Sequence, residues 1–449
     1  MTARLHALRC ARCPFEPMEL VVATHNLANP GGAQSYALTI AEHLARLGHT
    51  VTLYSREIGA LADVARESGL PVARTAHELP EIADGVIIGI DRPLALELAQ
   101  RYPRAVRVFV VHCTDELCLP PPLPGVVAAT VTLNDVHFAR ASSCVGAGEV
   151  VRLRQPVDLR RFSSRGAPAA RPRRVLLLGN YHSRIDGRGE LLREAWSDAH
   201  LSWREAGGEH ATFDVAKAIA QADVVVGYGR SALEGMACGR PVFVHDHSGT
   251  EGWVTAESYP RLEAGGFAVT GSRIAPELDR LRAELEGYRP ELGLEGQDLT
   301  RANHDARDHV SELVGLISRL APGRPPDDPS AMRALTVLAE AQLRAEWSAE
   351  RYRVESKEWA ALLRDERERW LAATEATQTQ LREAEAQLQA LKQTRRFRLA
   401  ATLAKPLDII RRSSEARNAP CEQPAILRSP NPRPGAQIGK GSGLKNRRW

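Results

Sequence analysis

Short runs of four to eight apolar residues recur along this chain, too continuously hydrophobic to have one face in water, with amphipathic stretches between them. ELVVATHNL (19–27) ends in turn formers, and AQSYALTIAEHLARLGHTVTLYSR (33–56) continues as a helix, a break at Gly48 and a second strand. Strand, glycine turn, helix, strand is a βαβ unit. It repeats through ADGVIIGI (83–90), a helix over 92–101, AVRVFVVH (105–112) and GVVAATVTLND (125–135). Strands that are apolar on both sides need cover on both faces, which a parallel sheet layered between helices provides.

A second series follows RGAPAARPRR (165–174), whose composition is that of a linker. It contains VLLLGN (175–180), a helix near 188–197, AHLSWREAG (199–207), a helix over 214–221, ADVVVGYG (222–229), a short helix, RPVFVHD (240–246) and GFAVTG (266–271). TRANHDARDHVSELVGLISRL (300–320) reads as a closing helix. At 449 residues the chain exceeds one hydrophobic core. The expectation is two doubly wound α/β domains, 18–165 and 166–320.

The Pro-rich segment 321–332 marks a boundary, and 333–393 has the composition of one long helix. Leu381, Ala384, Leu388 and Leu391 keep a 3–4 spacing and Leu363 and Trp370 stand a heptad apart, while Arg367 and Thr374 interrupt the seam. A coiled coil through which the chain self-associates is expected there. Residues 394–412 form a basic amphipathic segment and 413–449 a disordered Pro/Gly/Ser-rich tail. From Lys392 to Trp449 there are 14 Lys/Arg and 3 Asp/Glu, so of the net +4 this tail carries +11 and the remainder about −7.

Such a tail suits peripheral contact with an anionic membrane. It lacks the interleaved aromatics of nucleic-acid readers, so no nucleic acid is expected as a partner. No apolar run reaches the ~18 residues of a membrane span, and residues 1–17 lack the apolar stretch of a secretory signal, which predicts a cytoplasmic protein. Residues 1–17 read as a leader that a start at Met18 would omit. Seven scattered cysteines, including a lone CxxC at Cys10 and Cys13, predict reduced thiols and neither a disulfide framework nor a zinc site.

Two stretches hold residues suited to a ligand. In NPGGAQSYALTIAEHL (29–44) Gly31 and Gly32 turn a strand into a helix whose free N–H groups suit an anion, though a plain βα turn needs the same residues. In VVVGYGRSALEGMACGRPVFV a buried strand gives way to Gly227 and Gly229, with Ser231 placed to cap the next helix. Glu234, three residues on, has the spacing of a capping box, and equally suits the vicinal hydroxyls of a ribose at a sheet's carboxyl edge.

These two stretches resemble the halves of a GT-B glycosyltransferase of the retaining family 4 type, over roughly residues 19–320. The resemblance implies two facing Rossmann-like domains, an acceptor held mostly by the first and a nucleotide-sugar donor mostly by the second. It places Gly31 and Gly32 at the donor phosphates, His112 near the donor sugar and Glu234 on the ribose. Val226 stands where the family carries its other glutamate, the partner of the donor sugar's hydroxyls. Asn180 and Ile185 stand where the family places an Arg and a Lys on the diphosphate. Arg184 is the first substitute, with Arg188 and Arg230 next, and each also suits a solvated surface. Gly229, Arg230, Ser231 and the loop Ser248, Gly249 and Thr250 complete the expected donor site.

No aspartates are spaced DxD, so neither a metal nor a cofactor beyond the co-substrate nucleotide sugar is expected. The function implied is transfer of a sugar to the hydroxyl of a surface glycan or lipid-linked saccharide. The alternatives are a non-catalytic nucleotide-sugar-binding protein and a sugar-nucleotide epimerase.

Overall fold

The structure, a computed structural model, describes residues 16–114, 118–163, 166–179, 188–207, 212, 214–246, 249–270, 278–324, 328–393, 396, 398 and 399. The chain divides into two compact units, Met1–Ala361 and Leu362–Trp449, and the two large sheets and a two-stranded one belong to the first.

The first half runs β1 (Glu19–Thr24), β2 (Asn26–Leu27), α1 (Gly32–Arg46), β3 (Thr50–Tyr54), β4 (Glu57–Ile58), α2 (Ala60–Glu67) and β5 (Val72–Ala73). It continues with β6 (Gly85–Gly89), α3 (Arg92–Arg101), β7 (Val106–Val111), β8 (Ala129–Thr132), α4 (Asp135–Ser142) and β9 (Glu149–Arg152). Seven strands form a parallel sheet in the order β5-β3-β1-β6-β7-β8-β9, and β2 pairs with β4 beside it. Alternate residues feed two cores: Val22 and Ile87 lie with Tyr36 and Ile40 on one face, Val21 and Ile88 with Leu94 and Leu98 on the other. That double burial is why the strands read as unbroken apolar runs.

The second half runs β10 (Arg174–Leu178), α5 (Arg188–Ala195), β11 (Ser202–Ala206), α6 (Val215–Ala220), β12 (Val224–Gly227), α7 (Arg230–Ala237), β13 (Val242–Asp246) and β14 (Gly249–Trp253). α8 (Tyr259–Ala264), α9 (Leu278–Glu286) and α10 (Glu291–Asn303) follow. The strand order is β11-β10-β12-β13-β14, parallel except for β14. The doubly wound α/β class expected for both halves is what the structure shows.

Three details differ from the sequence reading. GFAVTG is not a strand: Phe267 sits at φ +55°, its N–H donates to Leu262 and its carbonyl accepts from Gly229, so the segment caps the sheet edge. The edge strand comes instead from GTEGW, at Gly249–Trp253. The closing helix is two helices. α10 stops at Asn303, and after His304 and Asp305 a new helix, α11 (Ala306–Arg319), begins with the Asp305 carboxylate accepting from the Arg307 N–H. Val310, Leu313, Val314 and Ile317 of α11 pack into the first sheet's core beside Ile40 and Leu44. An amphipathic helix states that it covers a sheet, not which one.

α12 (Pro329–Gln393) begins with Met332 buried against the first sheet, where Gln100 donates to the Thr336 hydroxyl and Arg56 pairs with both Glu97 and Glu340. Farther along it, Leu363, Trp370, Leu381, Leu388 and Leu391 are exposed. Among the described residues no helix is long and apolar enough to cross a membrane. The basic segment 394–412, apart from residues 396, 398 and 399, the tail 413–449 and residues 1–15 lie outside the described residues.

The expectation of reduced thiols is corrected at one pair: Cys113 and Cys118, which follow β7, form a disulfide with their Cα atoms 5.7 Å apart. Cys144 is half-buried and Cys238 buried. Cysteine spacing along a long chain cannot show a turn that brings close neighbours together.

Candidate functional site

In each sheet the strand order reverses once, between β1 and β6 in the first and between β10 and β12 in the second. Chains leaving the carboxyl ends of such strands diverge to opposite faces and leave a crevice. Both crevices open on one cleft. The first sheet contributes Pro30, Gly31, Gly32 and Ser35, the second Leu178, Gly179, Tyr228, Arg230, Ser231 and Glu234 among others. The cleft holds about 680 Å³ of empty space, its open mouth included.

At the first sheet's wall, α1 starts at Gly31 with no side-chain cap among the described residues, and Gly31 and Gly32 line the cleft at the positive end of the helix dipole. A Cβ at Gly31 would lie 2.3 Å from Gln34 Oε1, whereas one at Gly32 would meet nothing within 4 Å. The crowding at Gly31 is by the tip of the Gln34 side chain alone, which can swing aside, and Gly32 leaves open space.

At the second wall, β12 runs to Gly227 and α7 starts at Arg230, a connection of only Tyr228 and Gly229. Gly229 is the N-cap, at φ +54°, so Ser231 is the second residue of the helix and not its cap. Glu234 is then the fifth helical residue, beyond the reach of a capping box. Its carboxylate Oε1 accepts from Arg230 Nε at 2.8 Å, and no other hydrogen bond to it exists among the described residues. Burial raises its pKa, opposed by the Arg230 charge. The short connection also explains Val226, which is a fully buried strand residue among Val224, Phe243 and Trp196.

Arg230 does more than pair with Glu234. Its two terminal nitrogens donate to the Thr39 hydroxyl on α1 at 2.9 Å and to the Pro156 carbonyl at 3.2 Å, joining the two walls. Arg152 on β9 makes a second link, donating to Glu263 on α8 at 2.7 Å.

His112 follows β7 and is not among the cleft-lining residues. The residue is part-exposed, but its Nε2 is enclosed and has no hydrogen-bond partner among the described residues. Tyr36 of α1 meets the imidazole edge-on, ring centres 4.8 Å apart. Burial, with His137, Arg230, His25 and His309 adding to it, pushes its pKa down to about 3, so the ring is neutral near pH 7.

The structure therefore gathers Gly31, Gly32, Arg230, Ser231 and Glu234 at one cleft, with Gly229 shaping it and His112 behind α1. Gly249 and Thr250 do not line it: they belong to β14, and the Thr250 hydroxyl donates to Val244. Arg188 opens α5, its side chain outside the described residues, as are Arg184 and Ser248. Among the described residues no three His, Cys, Asp or Glu side chains stand together as metal ligands. Sequence reasoning missed Tyr228, Gly179 and the bridging role of Arg230. The i,i+4 spacing of Arg230 and Glu234 was the available signal for the last.

No family model matches the chain, and no curated protein matches its sequence. Solved structures are similar to it. HepE of Anabaena in complex with UDP and glucose has 13% identity and a TM-score of 0.48, over 68% of this chain and 100% of that one. A glycosyltransferase from Rickettsia africae has 12% identity and a TM-score of 0.45, over 68% and 98%. WaaG, a glycosyltransferase involved in lipopolysaccharide biosynthesis, has 16% identity and a TM-score of 0.42, over 67% and 100%. The two Rossmann-like sheets facing a cleft have the arrangement called GT-B.

Proposed function

We propose that this chain is a glycosyltransferase that moves a sugar from a nucleotide diphosphate donor, bound in the cleft, to an acceptor hydroxyl. The observation that carries the reading is that both switch points open on one cleft whose wall presents the enclosed Glu234 carboxylate. In this reading Glu234 accepts from the ribose hydroxyls, and the N–H groups at Gly31 and Gly32 meet the donor phosphates. Arg184, Arg188 and Arg230 are the candidates to offset charge on the leaving diphosphate. His112, neutral and beside α1 outside the cleft lining, is the candidate to act near the donor sugar. Transfer with retention, no metal, and a surface glycan or lipid-linked acceptor at the inner face of a membrane belong to the same proposal.

The test is thermal-shift titration with a panel of UDP-, GDP-, ADP- and TDP-sugars, on the natural chain and on Glu234→Gln. One donor class is expected to stabilise the natural chain by ~2.7 kcal/mol at a hundred times its Kd. Glu234→Gln, which keeps an acceptor for Arg230, should lose most of that shift. Equal shifts for both proteins would count against the ribose role.

A second reading has its own support. The two-residue β12–α7 connection leaves Val226 in the core, and so no acid where the donor sugar's hydroxyls would need one. A nucleotide-sugar-binding protein without catalysis would show the shift but no released nucleotide with any acceptor. An epimerase would convert the donor alone.

A further inference from the structure

We propose that Tyr36 and His309 are positioning residues for His112, coupling the orientation of its imidazole to the paired chain crossings between the two sheets. Only the chemistry ascribed to His112 rests on the glycosyltransferase reading; the coupling itself stands on contacts.

The chain passes from the first sheet to the second near residues 153–157 and returns near 304–306. The two passages lie side by side. Val157 N–H donates to the His304 carbonyl at 2.8 Å, Ala306 N–H donates to the Val157 carbonyl at 3.1 Å, and Val157 and Asp305 form a parallel bridge. Successive carbonyls of the outgoing passage are then taken by two different histidines of the return. His309 Nδ1 lies 2.8 Å from the Arg154 carbonyl and His304 Nδ1 lies 2.7 Å from that of Gln155.

A carbonyl can only accept, so each Nδ1 must carry the proton. Both rings are buried, which pushes their pKa values down to about 4 and keeps them neutral. Each Nε2 is therefore an acceptor, and each has a tyrosine hydroxyl to donate to it. Tyr259 on α8 serves His304 at 2.9 Å, and Tyr36 on α1 serves His309 at 2.8 Å. The two arrangements have the same chemistry, one anchored in each half.

Only one of them reaches the candidate site. The Tyr36 ring meets His309 edge-on at 5.6 Å and His112 edge-on at 4.8 Å. Among the described residues His112 Nε2 has no hydrogen-bond partner, so at that edge the imidazole is held by packing, with Tyr36 against it. The Tyr36 ring is itself pinned by its hydroxyl. The charged or titratable groups bearing on His112 are His25, His137, His309 and Arg230, with no carboxylate among those that shift it. Movement of the outgoing passage against α1 would pass through the Arg154 carbonyl, His309 and Tyr36 to the imidazole.

The experiment is histidine-ring NMR on the full-length chain, with the His112 signals assigned by their loss in His112→Asn. Tyr36→Phe keeps the ring and deletes its hydroxyl. His309→Asn keeps an N–H for the Arg154 carbonyl and removes the acceptor for Tyr36, whereas His309→Gln supplies an amide oxygen near where Nε2 stood. Tyr36→Phe and His309→Asn are expected to shift the His112 signals and move its titration toward 6.5, and His309→Gln to restore the natural spectrum. Tyr259→Phe, the same deletion in the other half, should leave the His112 signals in place.

With a turned-over donor, Tyr36→Phe should lower kcat by about tenfold and leave KM within about twofold. Should Tyr36→Phe not fold, His309→Asn against His309→Gln decides the question. If Tyr36→Phe and His309→Asn lower Tm and leave the His112 signals unmoved, the pair is structural and the inference is overturned. Shifted signals in a chain that turns over no donor would support the inference and count against the glycosyltransferase reading.

Discussion

Glu234 and Arg230 are each less than a tenth exposed, and neither is comfortable there without the other. Arg230 still has Thr39 and Pro156 when Glu234 is removed, but its charge loses its only carboxylate partner among the described residues. Breaking an enclosed ion pair on one side costs about 3 kcal/mol or more, while replacing both members with apolar residues is often close to neutral. Glu234→Ala should therefore lower stability by about 3 kcal/mol in urea denaturation, and Glu234→Leu combined with Arg230→Met by much less. A double variant as unstable as Glu234→Ala would mean that the links from Arg230 to Thr39 and Pro156 carry the effect. The sequence showed Glu234 as a candidate because glycines, an acid and a short helix followed a buried strand. It could not show Tyr36 against His309, since 273 positions separate them and neither side chain is unusual on its helix.

The elements were mostly legible, because strands buried on both faces leave an unmistakable apolar signature. What stayed hidden depended on close approach of backbones. α10 lies against α7 with so little room that a Cβ at Gly293 would stand 2.3 Å from the Gly239 carbonyl oxygen, whereas Gly32 at the head of α1 has open space. The same one-methyl change should separate stability from binding. Gly293→Ala is expected to cost about 1–3 kcal/mol by forcing α10 off α7. Gly32→Ala should hold or raise Tm, as alanine favours a helix by ~0.5–1 kcal/mol over glycine, yet weaken donor binding by placing a methyl group at the cleft wall. Melting curves with and without nucleotide read both effects; a Gly32→Ala chain with unweakened binding would move the phosphates away from α1. No periodicity distinguishes these two glycines, and none shows that α11 covers the first sheet.

At the scale of the whole molecule, burial lowers the pKa of six histidines among the described residues: His112 to about 3, His25, His137, His304 and His309 to about 4, and His49 downward as well. The unfolded chain titrates them near 6.5. Between those values the unfolded state binds the extra protons, so the folded state is favoured above pH 6.5 and loses stability as pH falls toward 4, by up to ~1.4 kcal/mol per histidine and pH unit. Urea midpoints should be level above pH 7 and fall steeply from 6.5 to 4.5. A midpoint unchanged across that interval would mean the rings are already open to solvent.

The bridge between Val157 and Asp305 has a consequence for how this chain could be cut. Neighbouring strands lie ~4.8 Å apart, little more than the 3.8 Å of one peptide link. The second half is thus spliced into its companion at a single point, like a cassette. A gene joining codon 157 to codon 305 would leave the seven-stranded sheet with its α11 cover in place and both new ends already touching.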